Sequence, residues 1–450
     1  DQAEWSKVLV VGELKPEKGL GDLREKVVIQ LASYAYDVFA SQPRRRFVDA
    51  FTVINATMRC WIFTRASGMA SEQFDLHHGP GLRKFKRVFA GYFSQTAEGL
   101  GLPFTYPCGD DGGGGFADVE IGGTTVTVNS DAFFQVPAIV TRGTTCYAVT
   151  ESPAEDPQDS RWVLKEAWRW DADQMAEGDM LQLCAERGVE GVATHLCHDA
   201  LESVHRIVGP CVSNAVRLNL KWRRQRKSSP YRVTATESAA KRSQSNTGAA
   251  VVAAAEQQQQ RPAPARSPGS LFLGTGFLPA VSGKRKARAD APDDEPEQYW
   301  EYEAETGTGG PVRSFLPNRI DTRTVISRGT PVRDITFSSA HTLLACIRDA
   351  VRGHRSLFEK ARILHRDVST NNVMLTTHAR ADGYAGFLID LDLATATTYR
   401  PSGAPKRTGT YEFMSIEMLK GGDGFVHTYL DDLQSFFYVF LYLCHRREQR

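Results

Sequence analysis

Ile363-Leu364-His365-Arg366-Asp367-Val368-Ser369-Thr370-Asn371-Asn372-Val373-Met374-Leu375 is the stretch from which the rest of the chain is read. Four residues separate Asp367 from Asn372, and apolar residues close the stretch at both ends. Each polar position has a physical job open to it. Asp367 can accept the proton of an attacking hydroxyl. Asn372 can hold a metal ion on phosphates. Arg366 is a fixed cation beside the base. Ile363, Leu364, Val373, Met374 and Leu375 would seat the loop on the core. An ordinary polar loop can spell the same letters, so the neighbouring segments decide the matter.

Downstream, the apolar run Gly386-Phe387-Leu388-Ile389 ends in Asp390, followed by Leu391-Asp392-Leu393-Ala394. A strand of that kind delivers a carboxylate to its end. Asp392 is a second carboxylate, able either to touch a metal or to cap a turn; the turn cap is the favoured expectation. Then come Arg407-Thr408-Gly409-Thr410-Tyr411-Glu412-Phe413-Met414-Ser415-Ile416-Glu417 and a helix opening at Asp431-Asp432-Leu433-Gln434-Ser435-Phe436-Phe437. That helix is apolar on every side, which predicts burial. Asp432 at its start can accept backbone N–H groups.

Upstream, Arg161-Trp162-Val163-Leu164-Lys165 reads as a strand that places a cation beside the core. A lysine snorkelling from an edge strand is the plain alternative. A helix over 174–187 follows. Glu177 at its start can meet Lys165; Glu186, further along, is the poorer match. Ala138 to Val149 reads as strand, tight turn and strand around Gly143, a shape that can lay backbone N–H groups over phosphates, with a plain hairpin as the alternative.

Composition sets the outer bounds. A chain of 450 residues is long enough for about two to three folding units. Lys plus Arg (54) and Asp plus Glu (53) nearly cancel, so global charge implies neither a nucleic-acid nor a membrane partner. Eight cysteines lie scattered without a Cys-x-x-Cys pair, which suggests neither a disulfide framework nor a zinc site and makes a reducing, intracellular setting the default. No signal peptide opens the chain, and Phe436 to Cys444, the most apolar run, is far too short to span a bilayer.

Periodicity predicts a helix over 24–40, a hairpin of Phe47–Ile54 and Met58–Phe63 turning at Asn55-Ala56, a helix over 82–100 and a strand over 119–128. Arg44-Arg45-Arg46 could bind phosphate, but a solvated strand edge is the expected place for it. Gly112 to Gly115 reads as linker. From about 223 to 312 basic clusters, an alanine run, four consecutive Gln and an acidic stretch replace large apolar residues, which predicts disorder. Within it, Lys284-Arg285-Lys286-Ala287-Arg288 has the look of a nuclear-import signal or a solvated basic patch. Order resumes near 319 with the strand Arg323–Ser327, a connection over 328–336, and a long helix over 340–361.

Taken together, the chain resembles the fungal-type protein kinase family, which is related to the eukaryotic protein kinases. The residues that carry the resemblance are Phe39 to Phe47, Trp61 to Arg65, Arg142 to Cys146, Trp162 to Lys165, the His365 loop with Ser369, Asp390 to Ala394 and Asp431 to Phe437. It covers most of 24–222 and 318–444. Thr64 and Thr141 stand where the family usually has Asp and Gly. Ser369, usual in this family, stands where common Ser/Thr kinases have Lys.

The resemblance implies an α+β fold of two lobes. Residues 1–115 would extend the small lobe, 116–222 would form its core, and 313–327 would give its last strand after the 223–312 insertion. Residues 328–450 would be a C-lobe left incomplete by the end at Arg450. It also implies transfer of the ATP γ-phosphoryl group to Ser or Thr of a protein substrate. Asp367, Arg366, Asn372, Lys165, Glu177 and Thr410 would form the catalytic set. Arg142, Gly143, Thr144, Thr145 and Lys165 would hold ATP, and Asn372 and Asp390 would hold Mg²⁺. Thr410 would bond to the catalytic loop and Glu417 would anchor its segment. Arg366 implies control by phosphorylation within 395–410. A pseudokinase scaffold and a small-molecule kinase of the aminoglycoside or choline type are the rival expectations. The expected location is cytoplasmic or nuclear. Nothing in the sequence indicates an oligomeric state.

Overall fold

The computed structural model of the chain describes residues 4–16, 25–103, 115–150, 156–171, 175–209, 216–224, 298–306, 318–335, 339–396, 409–421 and 425–448. Strand β1 (Val10–Lys15) leads to helix α1 (Glu25–Ser41), the hairpin β2 (Phe47–Ile54) and β3 (Thr57–Thr64), short strands β4 (Gly68–Ala70) and β5 (Phe74–Asp75), and helix α2 (Gly79–Ser94). Next come β6 (Phe116–Ile121), β7 (Thr124–Gln135), β8 (Thr145–Thr150), β9 (Trp162–Trp170), α3 (Glu177–Glu186), β10 (His195–Ser203) and α4 (Val204–Val208). Strands β11 (Val216–Arg224), β12 (Gln298–Thr306), β13 (Arg319–Ser327) and β14 (Gly329–Pro331) follow. The rest is mostly helical: α5 (Ala340–Ser356) with a π-turn over Leu357–Ala361, β15 (Ile363–Leu364), β16 (Val373–Thr376), β17 (Gly386–Leu388), β18 (Thr395–Ala396), α6 (Ile416–Lys420) and α7 (Tyr429–Glu448). The mix of sheets and helices is that of an α+β fold.

Two larger sheets dominate the first part. One has the order β1-β2-β3-β4-β11-β12, with β5 on β3. The other has the order β10-β13-β9-β8-β7-β6 and is antiparallel throughout. Helix α1 shows why its sequence reads as a helix: Val28, Leu31, Ala32, Ala35, Val38 and Phe39 form one stripe. That stripe packs on Val11, Val48, Ala50, Trp61 and Phe63 of the first sheet. The hairpin turn falls at Asn55, whose φ of 54° suits asparagine.

Several expectations shift. The segment over 119–128 is a hairpin, because Gly122 and Gly123 both take positive φ and turn the chain between β6 and β7. Strand β7 ends at Gln135 and β8 starts at Thr145, so the loop around Gly143 is longer than a tight turn. Strand β12 lies inside the stretch expected to be unstructured. It pairs along its whole length with β11, which in turn pairs with β4. The 223–312 boundary therefore does not hold at its end, and β11 joins the sheet that holds β1 to β4. Residues 225–297, with Lys284 to Arg288, and most of the Gly112 to Gly115 run lie outside the described residues.

The Arg44-Arg45-Arg46 triplet is not a solvated edge. Arg45 is buried and donates to Leu9 O, Phe47 O and Gln42 Oε1. Burial lowers its pKa to about 10. Arg44 reaches Glu166 at 3.3 Å and stacks on Tyr147, and Arg46 reaches Glu202 at 2.5 Å. The triplet is a joint between the two sheets, and its acids lie more than a hundred residues away in sequence.

In the helical part, Leu343, Cys346 and Ala350 of α5 pack with Val368, Val373, Leu388, Phe413, Phe436, Val439 and Leu443. Helix α7 buries that one face; Leu430, Phe437 and Leu441 on its other side are exposed, against the expectation of all-round burial. Among the described residues no helix is long and apolar enough to cross a membrane. Gly353 of α5 lies against Gly191, and a Cβ there would fall 2.2 Å from Gly191 O. That carbonyl accepts from Leu388 N, on the strand leading to Asp390. Gly353→Ala is therefore expected to destabilise the fold by about 1–3 kcal/mol, read as a lower urea midpoint at unchanged slope.

Candidate functional site

The site is assembled from six segments. Lys165 lies at the middle of β9, paired in register with Cys146 and Thr324. It is no edge-strand lysine, since β8 and β13 flank it, and it is 7 % exposed. Its Nζ lies 2.7 Å from Glu177, 2.8 Å from Asp390 and 3.0 Å from Asp392. Glu177, at the start of α3, also accepts from Leu391 N at 3.0 Å. The helix, the strand lysine and the 390–392 segment are thus fixed to one another through one carboxylate. Glu186 instead pairs with Gln182 on the surface.

Burial opposes the Lys165 ammonium, but Asp390, Asp392 and Glu177 outweigh it and hold its pKa well above the usual value. Burial and the two neighbouring aspartates push Glu177 up to about 7, against the pull of Lys165. Burial also opposes ionised Asp390, yet Arg142 and Lys165 hold it well below the usual carboxylate range. Among the described residues, Asp390 and Asp392 face Lys165 and Arg142, and Glu177 adds a third carboxyl to the cluster. Carboxylate oxygens of Glu177, Asp390 and Asp392 lie within 4.8 Å of one another. Hard oxygen donors of this kind fit Mg²⁺. Glu177 ties Lys165 to the backbone of Leu391, whereas Asp390 and Asp392 sit two residues apart next to the Asn372 loop and would hold the ion in exchange for part of their contacts with Lys165 and Arg142. Asp392 is therefore part of the site; its carboxylate takes Lys165 and Arg142, where a turn cap was expected.

Arg142 approaches from the loop between β7 and β8. One guanidinium nitrogen lies 3.1 Å from Asp390 Oδ2 and 3.1 Å from Asp392 Oδ2. The other expected phosphate-loop residues lie elsewhere. Gly143 has φ 54°, and a Cβ on it would meet the Arg65 guanidinium at 2.9 Å, so the position favours glycine. Its N–H is taken by Thr141 Oγ1. Thr144 is buried. Thr145 pairs with Glu166, on the sheet face opposite Lys165. Gly143, Thr145 and Glu166 line a cavity of about 250 Å³ on that side. Of the four residues, the structure brings Arg142 to the carboxylates.

The loop from His365 to Asn372 closes the site. Asp367 Oδ1 accepts from both Thr410 N and Thr410 Oγ1 at 2.8 Å. Asn372 Nδ2 donates to Asp367 O at 2.8 Å and to Oδ2 at 3.1 Å. This leaves the Asn372 amide oxygen for a metal, and the Asn372 carbonyl accepts from Ile389 N, beside Asp390. Asp432 grips the loop backbone, accepting from His365 N and Arg366 N at 3.0 Å each. Arg366 and Asp390 take left-handed backbone, φ 64° and 67°, at about 1–2 kcal/mol each. Such strain persists only where the surroundings enforce it. The Arg366 guanidinium does not sit beside Asp367 as expected; it turns to Thr395 Oγ1 at 2.8 Å. Leu391 is buried with Met180, Leu181 and Cys184 of α3.

The segment around Thr410 is anchored differently than expected. Glu417 is exposed and pairs with Lys420. Ser415 is buried, donates to Asp431 Oδ1 at 2.6 Å and caps α6 by accepting from Met418 N. Neither this anchor nor the histidines on Asp432 (His354 and His427, 2.8 Å each) was visible in the sequence. The one local signal that could have marked the cap is a serine directly before the 416–420 helix.

No curated protein matches the chain. A family model described as fungal protein kinase matches residues 1–444. Its span takes in every segment that contributes to the site, and the chain belongs to the fungal protein kinase family.

Proposed function

We propose that the chain is a two-lobed protein kinase that transfers the ATP γ-phosphoryl group to a Ser or Thr hydroxyl of a protein. One observation carries the reading: Lys165 Nζ lies within 3 Å of both Glu177, on the next element, and Asp390, 225 residues further along the chain. Lys165, held rigid by Glu177, would take the ATP phosphates. Asp390, Asp392 and Asn372 would hold Mg²⁺, which when bound neutralises charge on the phosphates. Asp367 orients the attacking hydroxyl and accepts its proton. A bond forms between the hydroxyl oxygen and the γ-phosphorus, the bond from that phosphorus to the bridging oxygen breaks, and ADP leaves. Positioning and charge supply most of such catalysis.

Thr410 favours a protein acceptor. The 409–417 segment reaches the base through two hydrogen bonds from Thr410, and we read it as the side on which a polypeptide would dock. Mg·ATP is expected to raise the melting temperature, and labelled ATP to mark Ser or Thr in a mixed protein substrate. No shift in melting rejects the enzyme; a shift without transfer supports a nucleotide-binding scaffold. Transfer to aminoglycosides or choline in preference to proteins supports the small-molecule reading.

Control by phosphorylation is a further expectation. Arg366 already donates to Thr395, and its Nε is buried without a partner among the described residues. A phosphoryl group on this segment would give that guanidinium an anion. Thr397, Thr398, Tyr399 and Thr408 lie outside the described residues. Phosphatase treatment of an active sample is expected to slow it severalfold; an unchanged rate rejects the idea.

A further inference from the structure

The loop that carries Asp367 brings no cation to the site. Arg366 turns its guanidinium away, to Thr395. Ser369 is fully buried, and its hydroxyl accepts from Asn371 N. Its carbonyl accepts from the backbone N–H groups of Asn372 and Val373. Among the described residues, the cations on Asp390 and Asp392 are Lys165 and Arg142. Lys165 is held by three carboxylates at once and sits in a central strand, so it is fixed in place.

Arg142 is built differently. Its backbone is pinned, because its carbonyl accepts from Trp168 N at 2.6 Å and the next residue is locked in left-handed backbone against Arg65. Its side chain crosses from that anchor to the far carboxylates, 248 residues away in sequence. A guanidinium fork binds carboxylate and phosphate oxygens by the same geometry. A divalent cation held by Asp390 and Asp392 would compete for the oxygens that Arg142 now holds, and phosphate oxygens would offer the guanidinium equivalent partners.

We propose that Arg142 acts as an arginine finger supplied by the same chain, which leaves the Asp390–Asp392 pair and stabilises the transferring γ-phosphoryl group, the charge that the Ser369 loop does not supply. The proposal rests on the kinase reading above and assigns Arg142 a role directed at the γ-phosphate. Charge that grows on the equatorial oxygens during transfer is met by a donor already oriented.

Arg142→Ala in the full chain tests this by binding and by rate. Equilibrium titration with ATP and with ADP is expected to show ATP affinity falling at least about tenfold, the value of one charge-assisted hydrogen bond. ADP affinity should stay near that of the parent. The transfer rate at saturating ATP should fall about a hundredfold, and added ethylguanidinium, but not urea, should restore part of it. Equal losses for ATP and ADP, or no loss for either, overturn the proposal while leaving the kinase reading intact. So does a lost rate that guanidinium does not rescue while Arg142→Lys keeps the full parental rate, since that would mark a merely structural cation. A parent protein that binds neither nucleotide overturns the kinase reading itself, and the proposal with it.

Discussion

Asp367→Asn is expected to lower the rate of phosphoryl transfer by about 10²–10⁴-fold, the usual worth of a positioned general base, while leaving Mg·ATP binding close to that of the parent. The geometry separates the two effects. Asp367 does not touch Lys165 or Asp390 in the hydrogen bonds that define the phosphate end of the site. Its oxygens face Thr410 on one side and Asn372 on the other. In the variant, the remaining amide oxygen can still accept both hydrogen bonds from Thr410. The new amide N–H₂ faces the Asn372 amide, donor against donor, at about 1–3 kcal/mol. A small loss of stability is thus expected beside a large loss of rate. The measurement is single-turnover transfer at saturating Mg·ATP, with melting temperature as control. A variant that keeps more than a tenth of the parental rate removes Asp367 from the role of base. Thr410→Ala should give a smaller loss, because it removes one of the two Thr410 hydrogen bonds to Asp367 Oδ1, leaves the one from the backbone N–H, and keeps the carboxylate.

What the sequence could say about this site divides along a physical line. Asp367 and Asn372 are local, and their spacing within one loop carried their pairing. Lys165 and Glu177 lie on consecutive elements, so an apolar strand with one lysine and the helix after it made a readable pair. Asp390 was legible from the apolar run that delivers it. The misread positions have distant partners. Arg44 and Arg46 meet acids 122 and 156 residues away, and nothing near the triplet signals them. Asp392 looked like a turn residue because its turn is local, whereas Lys165 and Arg142 come from another sheet. Glu417 and Ser415 are equally polar neighbours; which one is buried depends on Asp431. Strand β12 sits in a stretch whose composition speaks against order, and its pairing with β11 gives it a place. Periodicity tells which face of an element is apolar, not what that face will meet.

The largest effect on stability is expected at Asp432, which is 1 % exposed. Its Oδ2 takes His354 Nε2 at 2.8 Å and His365 N at 3.0 Å, and its Oδ1 takes His427 Nε2 at 2.8 Å and Arg366 N at 3.0 Å. Asp432→Ala would strand two imidazoles and two backbone donors in the core, at about 3–5 kcal/mol by the behaviour of broken buried pairs. Asp432→Asn keeps the shape but turns one acceptor into a donor facing two donors. It should cost less than alanine, and both should lower the urea midpoint at unchanged slope. Acid separates charge from packing. Burial alone would raise the Asp432 carboxyl, but hydrogen bonds from His354 and His427 outweigh it and hold the group well below its usual range. A folded value below the unfolded value of about 3.9 means that the charge stabilises fully above about pH 4. The contribution is lost as pH falls through the lower folded value. The gap in stability between the parent and Asp432→Asn should therefore narrow on acidification below about pH 4; a constant gap between pH 5 and pH 3 would show that packing, not the carboxylate, is what the variant loses. The same carboxylate oxygen that takes His427 holds Arg366 in left-handed backbone. Transfer should consequently fail in Asp432→Asn at temperatures where the protein is still folded, because relaxing Arg366 moves Asp367, the next residue, off its hydrogen bonds to Thr410.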